Sequence, residues 1–182
     1  MRVIGGKLRG KEIKGYLIDG TRPTMDRVKE SMFAIIQDNI KDSICLDLFA
    51  GSGSLGIEAI SNGASKCYFV DNNKIAIKVI NKNLENLNIK DQAIVIEKDY
   101  MDSLIYFRQN KIKFNIVLLD PPYDELVINR ILDYLFKNKL LKRNAIVVCE
   151  YQKDNIKSEY YDVQKERKYG YRRVGIYTPK KD

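Results

Sequence analysis

The sequence predicts an α/β fold with a mainly parallel seven-stranded sheet, helices on both faces and a carboxyl-terminal antiparallel hairpin. From Ile44 onward, short β-branched runs alternate with longer stretches of helical period. A glycine-rich turn follows the first of these runs, as in nucleotide-binding sheets. The last two β-rich stretches flank Lys168-Tyr169-Gly170, which is typical of a hairpin that turns near a glycine.

Two elements precede the sheet. The first sixteen residues place glycines between short apolar pieces, which predicts a small basic hairpin. Pro23 and Thr24 then mark the start of a helix whose apolar residues fall on one face. Five apolar runs are the candidate strands of the sheet, at 44–49, 67–71, 93–97, 114–120 and 145–150. Two more strands are expected between 160 and 178, and stretches of helical period connect the earlier ones.

The length and composition predict one domain. A chain of 182 residues, 45% of them hydrophobic, buries one ordinary core. We therefore expect a single domain over 1–182, with the basic hairpin and helix in 1–40 and the catalytic core in 41–182. No apolar run approaches the roughly 20 residues of a membrane span, and the start of the chain lacks an apolar leader. These features indicate a soluble, cytoplasmic protein, which we expect to be monomeric.

The residues that most often hold metals are scarce. Histidine is absent, and Cys45, Cys67 and Cys149 lie far apart in apolar runs without metal-ligand spacing. We expect three free buried thiols and no metal site. Any catalysis must proceed without imidazole as a general base.

The net charge of +8 is concentrated at the two ends of the chain. Residues 1–30 hold eight basic and four acidic side chains, residues 165–182 hold seven and two, and the middle holds seventeen and eighteen. Basic ends on a neutral body favour a surface that binds phosphates, although a solvated lysine-rich surface is the alternative.

A nucleotide-binding turn is the first motif. The strand that ends near Asp47 runs into Gly51-Ser52-Gly53-Ser54-Leu55-Gly56, and a helix follows. The GxGxxG spacing allows a tight turn and close approach of a ligand to the backbone. Asp71, which ends the next predicted strand, is placed to accept hydrogen bonds from a ribose.

Asp47 separates two classes of ligand. A dinucleotide brings an anionic pyrophosphate to this turn, where a carboxylate would repel it. S-adenosylmethionine brings a sulfonium and an ammonium group, which a carboxylate attracts. Asp47 therefore favours the methyl donor, and an aspartate that caps the backbone amides of the loop is the alternative. Asp99, after the third strand, is either an adenine contact or an exposed acidic residue of a turn.

The second motif is Asp120-Pro121-Pro122-Tyr123, at the carboxyl end of the fourth predicted strand. Open α/β sheets bind ligands at this edge. Two prolines stiffen the loop and leave carbonyls free to accept hydrogen bonds, and an aromatic side chain stacks on a base. The motif suits a planar exocyclic amine, and a rigid turn is the alternative.

Together these motifs resemble the Rossmann-like class I methyltransferases that act on exocyclic amines of nucleobases. The opening RVIGGKLRG, then TRPT, DLFAGSGSLGIEA, DPPY and the late Tyr169-Gly170 resemble bacterial 16S ribosomal RNA guanine-N2 methyltransferases of the RsmD type. The resemblance implies an enzyme that uses S-adenosylmethionine and binds ribosomal RNA within the small ribosomal subunit. Asp71 stands where glutamate is common in such enzymes, so its shorter side chain reaches less far.

The resemblance also implies roles for single residues. The donor pocket is expected to include Asp47, Phe49, Gly51, Ser52, Gly53, Asp71, Asp99, Thr21, Arg22 and Pro23. The residues expected to hold guanine are Asp120, Pro121, Pro122 and Tyr123. Those expected to bind RNA phosphates are Arg2, Lys7, Arg9, Lys11, Arg172 and Arg173.

Other functions remain open at this point. A dinucleotide oxidoreductase agrees with GxGxxG but leaves DPPY without a role. A non-catalytic RNA-binding assembly factor agrees with the basic ends. Methyltransferases of DNA adenine N6, tRNA guanine N2 or protein glutamine use the same tetrapeptide, so the motif does not choose among them.

Overall fold

The structure is a computed structural model that describes residues 1–15, 26–122, 125–153 and 156–181. Its helices are α1 (Asp26–Ile40), α2 (Ser54–Ser61), α3 (Lys74–Asn86), α4 (Tyr100–Gln109) and α5 (Glu125–Lys137). Its strands are β1 (Ile44–Asp47), β2 (Lys66–Asp71), β3 (Ala93–Glu97), β4 (Phe114–Leu119), β5 (Leu141–Tyr151), β6 (Tyr161–Tyr169) and β7 (Arg172–Pro179). Short 3-10 turns lie at Gly6–Leu8 and Lys90–Gln92.

The seven strands form one sheet in the order β3-β2-β1-β4-β5-β7-β6. The first five are parallel, and β7 runs antiparallel to both β5 and β6. The predicted fold class is therefore confirmed, including the antiparallel hairpin at the carboxyl end. The strand order reverses between β1 and β4, which is where sheets of this kind open a crevice for ligands.

Each face of the sheet has its own apolar core because successive strand residues point to opposite sides. On one face, α1, α2 and α3 cover side chains such as Cys45, Ile116 and Val148. On the other, α4 and α5 cover Leu46 and Val117. The alternation explains why the central strands are continuously apolar.

Two strand boundaries differ from the sequence-based prediction by more than one residue. β1 ends at Asp47, two residues early, because the chain leaves the sheet to form the glycine loop. β5 begins at Leu141 rather than near 145, although the polar residues 142–144 interrupt its apolar pattern. The pairing of β4 with β5 shifts register between Phe114 and Ile116, so these extra residues form a bulge.

The first fifteen residues fold back on themselves as predicted. The chain bridges Arg2 to Glu12, and the Val3 amide donates to the Lys11 carbonyl at 2.9 Å. Val3 and Ile13 are buried in the core beneath α1 and α2, which fixes this hairpin to the body of the protein. Within the described ranges, no helix is long and apolar enough to cross a membrane.

Candidate active site

The acidic residues singled out from the sequence gather at one edge of the sheet. Asp47 ends β1, Asp71 ends β2, and Asp120 directly follows β4. Parallel strands bring their carboxyl ends to the same edge, and β1 pairs with both β2 and β4. The nucleotide-binding turn and the DPPY segment are thus neighbours in space, although about seventy positions separate them in the sequence.

The glycine loop connects β1 to α2. Gly51 and Gly53 have φ angles of 57° and 85°, and Gly53 is the N-cap of α2. Gly56 allows α2 to pack closely on β2, because a Cβ atom there would lie 2.3 Å from the ring of Phe69. The carbonyl of buried Ser52 accepts a hydrogen bond from the Asn83 amide of α3 at 2.9 Å. The loop is therefore held by both flanking helices.

Asp71 ties the glycine loop to the start of α3. Its Oδ2 accepts a hydrogen bond from the Gly51 amide and its Oδ1 accepts one from the Asn73 amide, both at 2.9 Å. A carboxylate has about four acceptor positions, so two remain for hydroxyl groups of a ligand. Although it is shorter than a glutamate, the Asp71 side chain therefore contacts the backbone of the glycine loop.

Asp47 is buried beneath the loop and 2% exposed. Its Oδ2 accepts a hydrogen bond from the Gly56 amide at 3.0 Å, so the capping role left open by the sequence is present. Burial raises the pKa of Asp47 to about 7, with a smaller contribution from the charge of Asp71, while the Gly56 hydrogen bond opposes the shift. The carboxyl is balanced between its neutral and charged forms near physiological pH.

Asp99 and Phe49 occupy the adjoining part of the edge. Asp99 is exposed and caps α4, since its Oδ2 accepts a hydrogen bond from the Met101 amide at 3.0 Å. The ring of Phe49 packs against that of Tyr100, with centroids 5.4 Å apart. Thr21, Arg22 and Pro23, which were predicted for the same pocket, lie outside the described residues.

The DPPY segment begins where β4 leaves the sheet. The side chain of Asp120 is 17% exposed, and Pro122 is exposed beside it. Arg172 Nη1 lies 3.8 Å from Asp120 Oδ1. Tyr123 lies outside the described residues.

Arg172 has different surroundings from those that the sequence suggested. It was predicted to bind phosphates at the surface, but its side chain is buried between the carboxylates of Glu150 and Asp120. Burial alone would lower its pKa, yet the two carboxylates outweigh that effect and raise the pKa. Glu150 was not predicted as a site residue. Its position near the end of a buried strand, next to the strand that precedes DPPY, is a signal that could have identified it.

The remaining predicted RNA-binding residues lie on the surface. The four cations predicted on the amino-terminal hairpin are exposed: Arg2, Lys7, Arg9 and Lys11. Lys7 Nζ donates a hydrogen bond to Gln92 Oε1 at 2.9 Å. Arg173 on β7 forms an ion pair with Glu166 on β6, with 3.1 Å between Nη1 and Oε1.

The amino-terminal hairpin is fastened to α2, the helix that begins at the glycine loop. Glu58 accepts hydrogen bonds from the backbone amides of Ile4 and Gly5 at 2.8 and 3.1 Å. Gly6 has a φ of 76°, and a Cβ atom there would lie 1.9 Å from the Ser61 carbonyl oxygen. Only glycine fits this close contact, so the hairpin cations are held at a fixed position relative to the loop.

Sequence and structure comparisons agree on one family. A family model described as conserved hypothetical protein 95 matches residues 1–178. The ribosomal RNA small subunit methyltransferase D of Haemophilus influenzae is 39% identical over 173 residues, which cover 93% of this chain and 89% of that protein. YlbH of Bacillus subtilis, provisionally named an rRNA methyltransferase, is 36% identical over 180 residues, 97% and 98% of the two chains.

A solved Escherichia coli structure has the same fold. The protein, yhhF, is provisionally assigned as a methyltransferase. It superposes with a TM-score of 0.86 at 27% identity and covers 98% of this chain and 97% of its own. The similarity therefore extends over nearly the whole of both chains.

Proposed function

This chain belongs to the RsmD family, whose model is described as conserved hypothetical protein 95, and from that membership we propose that it methylates ribosomal RNA. The methyl donor is S-adenosylmethionine, and the acceptor is the exocyclic N2 amine of a guanine in the 16S RNA of the small subunit. The observation that carries the proposal is the position of Asp120 beside the glycine loop. β1 and β4 pair with Asp47 opposite Leu118, so Asp120 lies only two residues beyond the point where the loop begins.

The strand-end residues fit the methyl donor. Two acceptor positions of Asp71 remain for the ribose hydroxyls. The sulfonium and ammonium charges of the donor favour the ionised form of Asp47, whose pKa of about 7 allows it to gain charge on binding. When bound, the donor supplies an electrophilic methyl group on a positively charged sulfur.

The residues that follow β4 fit the acceptor. The lone pair of an exocyclic amine is delocalised into its ring. Hydrogen bonds from the amine to the Asp120 carboxylate and the Pro121 carbonyl turn that pair toward the methyl carbon. Tyr123, as the motif implies, stacks on the base, which at about 1–3 kcal/mol offsets part of the stacking lost in RNA.

Transfer requires no covalent enzyme intermediate. The amine nitrogen forms a bond to the methyl carbon, the carbon–sulfur bond breaks with its electron pair on sulfur, and the nitrogen releases a proton to water, directly or through Asp120. Positioning supplies much of the rate increase, because both reactants are held in line in one cleft. The negative charge of Asp120 stabilises the positive charge that develops on the amine.

The hairpin cations place RNA at this cleft. Arg2, Lys7, Arg9 and Lys11 attract phosphates without reading sequence. Because Glu58 fastens the hairpin to the helix that follows the glycine loop, bound RNA lies at a fixed distance from the donor. The guanine reaches the cleft after it leaves its stack, as in other enzymes that modify bases.

The proposal is tested by transfer of labelled methyl groups from S-adenosylmethionine to small ribosomal subunits from cells that lack this protein. Nuclease digestion then identifies the labelled nucleoside. N2-methylguanosine in the small-subunit RNA is the expected product. Label in adenosine, in tRNA or in protein would show that the acceptor is a different group. Absence of both methyl transfer and donor binding would favour the non-catalytic assembly factor.

A further inference from the structure

Two carboxylates and one guanidinium meet at the acceptor side of the cleft. Asp120 follows β4, Glu150 lies near the end of β5, and Arg172 begins β7. Arg172 Nη1 donates a hydrogen bond to Glu150 Oε1 and lies 3.8 Å from Asp120 Oδ1. The side chains of Glu150, Arg172 and Asp120 are 0%, 10% and 17% exposed. Asp120 is thus the most exposed of the three.

The strand register brings the two carboxylates together. Leu119 pairs with Cys149 across parallel strands, so the residues that come next, Asp120 just after β4 and Glu150 within β5, lie at the same level. Two neighbouring carboxylates repel each other, and a cation beside both favours the charged form of each. A protonated Asp120 would donate a hydrogen bond and lose the charge that stabilises the cationic amine.

We propose that Arg172, fixed by Glu150, is a positioning residue that keeps Asp120 ionised and oriented toward the acceptor amine. The inference rests on the proposed function and extends it to two residues that do not touch the substrate. Nη1 of the planar guanidinium lies near both carboxylates, so Arg172 reaches Asp120 and Glu150 from one position. Antiparallel pairing of β7 with β5 sets that position, since Arg173 lies opposite Tyr151.

The charges of the cluster suit the reaction. Glu150 neutralises Arg172, so the three groups together carry one negative charge, and the most exposed of them is Asp120. That net charge attracts the amine as it becomes cationic. Without Glu150, the positive charge of Arg172 would instead repel the positive charge that develops on the amine. Removal of only one member of the buried pair therefore changes the net charge beside the amine.

The experiment compares steady-state kinetics of Arg172→Met, Arg172→Lys and Glu150→Gln with the unmodified enzyme, using S-adenosylmethionine and unmethylated small subunits. Arg172→Met is expected to lower kcat by up to about 100-fold, the cost of misplacing a reacting group by about 1 Å, while the KM for the donor stays the same. Arg172→Lys is expected to retain more of kcat than Arg172→Met, because lysine keeps the positive charge but lacks the planar guanidinium. Glu150→Gln lowers kcat because the charge of Arg172 is then uncompensated.

Arg143→Met is the matched control. Arg143 is an exposed arginine at the opposite end of β5, and its replacement is expected to leave kcat unchanged. Far-UV circular dichroism shows that each variant is folded, and the near-isosteric Glu150→Gln carries the test if Arg172→Met does not fold. Unchanged kcat in Arg172→Met or Glu150→Gln, or an effect on the donor KM alone, would overturn the inference. Failure of the unmodified enzyme to methylate any subunit would instead overturn the proposed function.

Discussion

Lys29 and Glu58 form an ion pair in the protein interior, with 3.4 Å between Nζ and Oε1 and side chains that are 0% and 1% exposed. Lys29 Nζ also donates hydrogen bonds to the Arg2 carbonyl at 2.9 Å and to Ser54 Oγ at 3.0 Å. The pair thus joins three elements: α1, the amino-terminal hairpin and the first residue of α2. It links the RNA-binding surface proposed here to the glycine loop.

Replacing Lys29 with methionine should destabilise the protein. Glu58 would become a buried charge without its cation, and breaking a buried pair from one side costs about 3–5 kcal/mol. Urea unfolding measures the loss. Lys41→Met, at an exposed position just beyond α1, is the control and should change the free energy of unfolding by less than about 0.5 kcal/mol. Equal effects of the two substitutions would contradict the role of the pair.

Gly6→Ala should displace the amino-terminal hairpin. The added Cβ would meet the Ser61 carbonyl at 1.9 Å, so the backbone must move. RNA binding should weaken while donor binding persists, as gel-shift and calorimetric titrations can measure. Gly10→Ala is the matched comparison because Gly10 has a similar φ of 83° but nothing within 4 Å of the new atom. It should cost about 1–2 kcal/mol of backbone strain, and similar RNA affinities for the two variants would exclude the packing effect.

Asp47→Asn should remove a pH dependence of stability. Burial raises the pKa of Asp47 from 3.8 to about 7, so the folded state binds this proton more tightly than the unfolded state. The free energy of unfolding therefore falls as pH rises between these two values, by up to about 4 kcal/mol, and this loss is complete above the higher one. An asparagine cannot ionise, so the variant should gain relative to the parent protein between pH 5 and 8. Parallel stability curves over that range would count against a raised pKa.

Replacing Lys7, Arg9 and Lys11 with alanine should weaken RNA binding and lower its salt dependence. Each lost phosphate contact reduces the slope of log affinity against log salt by about 0.7–0.9. Filter binding at several salt concentrations gives that slope. A triple alanine variant of the exposed Lys139, Lys142 and Arg143, around the start of β5, controls for net charge. The proposed surface would be ruled out by identical slopes in the two variants.

Asp120→Ala should abolish methyl transfer and leave donor affinity nearly unchanged. Asp120 is the proposed contact of the acceptor amine, whereas the proposed donor contacts come from the ends of β1 and β2. Calorimetry with S-adenosylmethionine and the subunit methylation assay measure the two effects separately. Asp38→Ala, at an exposed position near the far end of α1, should retain both. Joint loss of donor binding and transfer would reject this division of roles.

The sequence was sufficient to predict what depends on local chemistry. The glycine loop and the DPPY segment carry their own geometry in the residue types and their spacing, so their place at the strand ends could be predicted. Arg172 could not be placed in this way. Its burial depends on the pairing of β7 with β5, more than twenty residues away, and an arginine beside a hairpin turn resembles a surface cation.

Lys29 and Glu58 were hidden for a related reason. Charged residues on helices usually face water, and a single sequence gives no sign that these two face each other across α1 and α2. For Asp99 the sequence left two possibilities, an adenine contact and an exposed acidic residue of a turn, because both occupy the same position after a strand; its hydrogen bond at the start of α4 was not predicted. Only the packing of elements that are distant in the sequence decides between such alternatives.

The polar exposed face of β6 has a consequence for the behaviour of the protein in concentrated solution. β6 is the last strand of the sheet, and an edge strand offers backbone groups that can pair with another molecule. Residues 162–168 are all exposed and include five charged side chains, and a register shift between Val163 and Lys165 interrupts the pairing with β7. Such charges and bulges oppose strand addition, so this edge should resist joining to a second sheet and seeding aggregates.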